Sequence, residues 1–114
     1  RGGCCVVALG RGSVALVPFP FSDLSQAKLR PAIVLASVGR GDWILCQVTS
    51  NAYGDDRAIS ITTDDFVDGG LRVASFVRPG KLFTAHETLI RMQAGRLTPG
   101  AFERIRAGVV AVFS

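Results

Sequence analysis

The sequence predicts an α+β, mainly β domain: a small barrel or rolled sheet completed by one C-terminal amphipathic helix. Three observations carry this. Short β-like runs follow one another with turn signals between them: "SVALVPFP", "PAIVLASV", "DWILCQVT", "AISIT", "RVASFVRP", "KLFTA" and "LIRMQAG". The 114 residues suffice for one core and are too few for two. The last segment then abandons the period of two for a helical one. Strands this short and this closely spaced suit a sheet that closes on itself.

The elements follow in chain order. Residues 1–10, "RGGCCVVALG", start without Met and lack the flanks of a secretory signal, so they are expected to be an N-terminal extension or an expression remnant ahead of one domain at 11–114. In the first run Pro18 and Pro20 stand two apart, and both missing N–H groups fall on one side, so this strand is expected at an edge or rim. In the second run Arg30 precedes Pro31, which forces it into extended conformation and makes it the expected first residue of the strand. The Gly-flanked turn signal "GRGD" joins the second and third runs as a hairpin. The acidic stretch with Asp55, Asp56, Asp64, Asp65 and Asp68 lacks calcium-loop spacing and is expected to be a solvated connection. Thr98 is the expected N-cap of the final helix, with Pro99 at its first position. Phe102, Ile105, Val109 and Val112 share one stripe of that helix, and Gly108 weakens its middle.

Composition narrows the function classes. Apolar residues make up 48% of the chain and mean hydropathy is +0.35, high for a monomer, yet the longest apolar run falls far short of the roughly 18 residues of a membrane helix. A homo-oligomer without membrane attachment is expected. Cys4, Cys5 and Cys46 are an odd set that fits neither a disulfide framework nor a zinc spacing, which suits a reducing, cytoplasmic compartment. The net charge of +4 is unevenly spread. Residues 1–40 hold five cations and one carboxylate, residues 41–71 one cation and six carboxylates, and residues 72–114 seven cations and two carboxylates. Two basic flanks are compatible with a polyanionic partner and equally with a mixed solvated surface.

The hairpin brings a candidate site together. With a two-residue Arg40-Gly41 turn, paired residue numbers sum to 81, so Thr49 stands opposite Ala32 and is a diagonal neighbour of Arg30, roughly 7 Å away. A one-residue change in the loop would put the two on opposite faces. A fixed guanidinium and a hydroxyl, with Ser50 and Asn51 beside them, suit a phosphate group. The competing reading is a rim arginine in a surface ion pair and a threonine ending a strand. His86 has no second histidine or cysteine spaced for acid–base work or a metal, which favours a structural role. Gly10 and Gly12 are too sparse for a nucleotide fingerprint, and "PGKLF" lacks the rest of a P-loop. No metal or cofactor is expected.

From "RGSVALVPFPFSDLSQAKLRPAIVLAS" through "ILCQVTSN" to "VRPGKLFTAHETLIRMQAGRLTPG" and the terminal helix, about residues 11–113, the chain resembles the MazF/PemK (Kid) toxins of type II toxin–antitoxin systems. The resemblance implies an SH3-like or CcdB-like barrel with a terminal helix and a homodimer. It further implies a metal-independent endoribonuclease that cuts single-stranded RNA, typically mRNA. The implied partner is an antitoxin whose flexible acidic tail covers the site, with DNA met only through the toxin–antitoxin complex. The family's catalytic arginine and threonine match Arg30 and Thr49. Lys28 and the loop from Phe21 to Leu29 are expected to track the RNA backbone, and Phe19 or Phe21 either stacks on a base or packs in the core; either Arg30 and Thr49 suffice, or Asp23 or a residue of the other subunit contributes a carboxylate, or activity is weak. Attack by the RNA 2′-hydroxyl on its own phosphate would leave a 2′,3′-cyclic phosphate and a 5′-hydroxyl. The chain departs from the pattern at Ser13, where many members are acidic, and at Ser75 and Val77, where some relatives place an Arg and an Asp. These departures keep open a degenerate, antitoxin-binding member. A second alternative is a CcdB-type toxin that binds gyrase, although "VVAVFS" lacks the tryptophan of a gyrase-binding tail.

Overall fold

The computed structural model describes residues 10–20, 27–51, 54–71, 74–90 and 92–114. Among them run β1 (Ser13–Pro20), β2 (Ala27–Gly39), β3 (Asp42–Thr49), β4 (Ile59–Ile61), β5 (Phe66–Gly69), β6 (Ser75–His86), β7 (Met92–Leu97) and α1 (Pro99–Val112). Single 3-10 turns lie at Thr63–Asp65 and Glu87–Leu89. The expected extension at 1–9, Phe21 and Asp23 fall outside the described residues.

One antiparallel sheet takes the order β4-β6-β3-β2-β1-β7-β5. Its two outermost strands, β4 and β5, are consecutive in the chain and joined by only four residues, 62–65. A flat sheet of seven strands would hold its edges roughly 29 Å apart, whereas the extended chain from Ile61 to Phe66 reaches at most about 18 Å. The sheet must therefore curl until its edges approach. The seam is tied by hydrogen bonds: Thr62 N donates to Asp65 Oδ2 (2.9 Å), Thr98 N to Asp65 O (2.8 Å), and Arg104 to both the Asp65 carboxylate (3.2 Å) and Ser60 O (3.3 Å).

Alternation along the strands fills two cores, one on each side of the sheet. Val14, Ile33, Cys46, Val48, Ile61, Val77 and Leu97 pack with Ala101 and Ile105 of α1. Their strand neighbours Ala15, Val17, Ala32, Val34, Leu45, Ala85 and Ile90 pack on the opposite side. Thr98 caps α1 as expected, accepting from Ala101 N (3.1 Å), with Pro99 in the first turn. Gly108 does more than weaken the helix. A Cβ there would lie 2.7 Å from Ile59 Cδ1 and 3.4 Å from Pro79 Cγ, so its absence lets α1 settle onto the sheet.

Three expectations about strands need correction. First, β2 begins at Ala27, so Arg30 is its fourth residue and not its first; the extended conformation imposed by Pro31 runs back along the pairing with β1. Second, "SFVRP", the end of the fifth run, and "KLFTA" belong to the single strand β6, interrupted by a bulge. Cys46 pairs with Leu82 and Val48 with Val77, so the four residues 78–81 loop out opposite Gln47. Pro79 cannot donate to the ladder, and the bulge delivers it, fully buried, beneath α1. Third, the acidic connection contains the short edge strand β5 and is partly bound rather than simply solvated. Among the described residues the proline rim holds: β1 pairs with β7 through Ser13 to Leu16, and its Pro-bearing end pairs with β2.

Candidate functional site

The turn between β2 and β3 has the expected two residues. Gly39 pairs with Asp42, and Arg40 (φ 58°) and Gly41 (φ 83°) both sit at positive φ, which matches the twist of the flanking strands. Beyond the turn the register departs from the simple count. Irregularities after Gly39 and after Ala36 each shift it by one residue, so the partner sum falls from 81 to 79 and Ala32 faces Gln47. Two single shifts restore the face. Continued two residues, this register sets Thr49 level with Arg30, directly across and not diagonally as the simple count implied.

Both side chains lie on the side of the sheet away from α1. Arg30 pairs with Val17, a member of the second core, and Thr49 follows Val48, a member of the helix-side core. Among the described residues the β2–β3 ladder ends at Ala32 and Gln47, after which β2 goes on with β1 and β3 with β6. Arg30 and Thr49 thus stand on two strands that part from each other. Arg30 is half-buried, with its Nε withdrawn from solvent. Thr49 Oγ1 accepts from Asn51 N (3.1 Å) and donates to Asn51 O (3.1 Å), which folds Ser50 and Asn51 back over the strand end. Ser50 and Asn51 are exposed beside it. Lys28 lies on β2 opposite Phe19, two residues before Arg30.

From Thr49 the rung continues across two further strands. Thr49 pairs with Phe76 of β6, and Phe76 with Ser60 of β4. Nothing local announces this, because the pairing is set across a bulge between strands far apart in the chain.

Several other polar groups of the described residues have structural partners. Arg78 Nε donates to Asp55 Oδ2 (2.7 Å), and that contact holds the Asp55 carboxyl below its ordinary range. Arg104 does the same for Asp65. The Cys46 thiol donates to Arg78 O (2.9 Å) and burial pushes it up to about 12, so it stays protonated at neutral pH. His86 Nδ1 accepts from Thr88 N (3.2 Å) and its ring fills the space over Gly41, in keeping with a structural role. Among the described residues no three His, Cys, Asp or Glu side chains converge as metal ligands.

A profile of the PemK-like, MazF-like toxins of type II toxin–antitoxin systems matches residues 10–113. The chain belongs to this family. Solved structures agree on the fold: MazE-MazF from Deinococcus radiodurans (18% identity, 95% of this chain and 97% of that one, TM-score 0.74) and an endoribonuclease in complex with its cognate antitoxin from a mycobacterial species (13%, 93% and 93%, 0.70). The Mycobacterium tuberculosis toxin MazF-mt6 is similar as well (14%, 89% and 95%, 0.68). Among curated proteins no sequence matches. In this PemK/MazF-like chain, no helix among the described residues is long and apolar enough to cross a membrane.

Proposed function

We propose that this PemK/MazF-like chain is a sequence-specific endoribonuclease that cuts single-stranded RNA, mRNA being the natural substrate, without a metal ion. The observation that supports the reading is the β2–β3 register, which keeps Arg30 and Thr49 on the same side of the sheet, away from α1, just beyond its last paired rung. Membership of the PemK/MazF-like toxin family supports giving this pair a role at an RNA phosphate.

The chemistry follows from the donors. The RNA 2′-oxygen loses its proton and bonds to the adjacent phosphorus, the bond from phosphorus to the 5′-oxygen breaks, and that oxygen takes up a proton. The products carry a 2′,3′-cyclic phosphate and a 5′-hydroxyl. No water enters this step. Charge grows on the phosphoryl oxygens in the transition state, and a pre-placed donor aimed at such charge is worth about 3–4 kcal/mol. Arg30 supplies the fork of N–H donors and is never a base, since guanidinium stays protonated. Thr49 supplies the neutral donor: its oxygen stays anchored by Asn51 N–H while its proton swings from Asn51 O to the phosphate. Lys28 and the segment from Phe21, through Asp23, to Leu29 extend the binding surface for RNA.

The chain acts in the cytoplasm as a homodimer, and an antitoxin with an acidic tail blocks the Arg30 site; DNA is reached only through that complex. The test is incubation of the purified protein with a long RNA in excess chelator, with mapping of new 5′ ends. Discrete cuts bearing 5′-hydroxyls support the reading. RNA left intact, or cut only when a divalent ion is added, removes it.

A further inference from the structure

We infer that Phe76 is the stacking platform for a base next to the cleaved bond, an inference that rests on the RNA-cleaving reading above. Phe76 pairs directly with Thr49, and antiparallel partners share a face, so its ring lies on the Arg30–Thr49 side of the sheet. Its neighbour Val77 pairs with Val48 and enters the helix-side core, which fixes Phe76 to the opposite side. At about 4.8 Å per strand, Phe76 stands one strand from Thr49, and Arg30 lies farther on, across the gap where β2 and β3 part. That separation lets a phosphate rest between Arg30 and Thr49 while the attached nucleoside reaches the ring.

Among the described residues Phe66 packs with the helix-side core and Phe83 with the second core, whereas Phe76 joins neither. It is half-buried, with exposed Ser60 on its far flank, so one part of the ring is held and another is offered. A fixed, partly exposed aromatic beside a phosphate site is the arrangement by which single-stranded nucleic acid is held, because every base has a face to stack.

The experiment uses an RNA oligonucleotide spanning a mapped cut, made uncleavable by deoxyribose at the ribose 5′ to it, and two further versions each lacking one base that flanks the cut. Binding is measured for the full chain and for Phe76→Leu, which keeps apolar bulk. The expected result is a loss of affinity between about fivefold and 150-fold for Phe76→Leu on the intact strand. One of the two abasic strands should show a similar loss with the unaltered protein and no further loss with Phe76→Leu. Phe76→Trp, which preserves a ring, should bind the intact strand at least as tightly as the unaltered protein and lose that advantage on the same abasic strand; it carries the test if the Leu variant fails to fold. Unchanged binding by a folded Phe76→Leu, or losses that add in full at both abasic positions, overturns the assignment while leaving RNA cleavage standing. A protein that neither cuts nor binds single-stranded RNA removes both.

Discussion

Arg30 and Thr49 differ in what they have to lose. Arg30→Ala removes the only charged member of the pair, and cleavage should fall by at least about 10²–10³-fold, the cost of one transition-state donor. Its circular dichroism should match that of the unaltered protein, because the residue lies outside both apolar cores. Thr49→Val should cost less. The cation remains, and the lost contacts to Asn51 are exposed hydrogen bonds worth about 1 kcal/mol or less. Rates for the two variants on one mapped RNA check this ordering, and equal or reversed losses would contradict it. That these two residues share a face of the sheet was legible in the sequence because the turn is local. The exact rung was not, since each bulge is a one-residue event without a composition signal. Phe76 was hidden for a deeper reason: its place depends on a nonlocal pairing, and on four residues looping out ahead of it.

At the scale of elements, the pairing of the edge strand β5 with β7 makes the sharpest stability prediction. Gly95 of β7 faces β5 so closely that a Cβ would lie 2.7 Å from Asp68 O and 2.8 Å from Gly70 N. Backbone atoms cannot give way as a side-chain tip can. Gly95→Ala should therefore destabilise by about 1–3 kcal/mol, read as a lower urea midpoint; an unchanged midpoint would show that β5 is not held against β7 as described. Thr98→Ala removes a cap bond and should cost about 1 kcal/mol by the same measurement. The helix and its cap were readable from "LTPG", as was the β2–β3 hairpin from "GRGD". The strand β5 was not, because "FVDG" is short, acidic in its surroundings and stabilised by its position at the seam rather than by propensity.

At the scale of the whole molecule, charge pairs link the loops to the sheet and make stability depend on pH. The Arg78 and Arg104 partners hold Asp55 and Asp65 below the ordinary 3.8. A carboxyl with a lowered folded pKa contributes stability that is complete above its unfolded value and disappears as pH falls through the folded one. Asp55→Asn should therefore lower the thermal midpoint at pH 7, and the gap to the unaltered protein should narrow as pH drops below about 3.8. A gap that stays constant down to pH 2 would contradict the pairing with Arg78. The curl of the sheet was foreseen from strand length and spacing, and its cause became visible only once β4 and β5 were found at opposite edges. That curl leaves one side of the sheet under α1 and the other carrying Arg30 and Thr49, which is where the account places the RNA. The most direct test of that claim replaces the single ribose 5′ to a mapped cut by deoxyribose, with excess chelator present throughout. The account predicts that cutting stops at that bond while neighbouring all-ribose sites are cut as before; cleavage of the deoxy-substituted bond at a similar rate would contradict it.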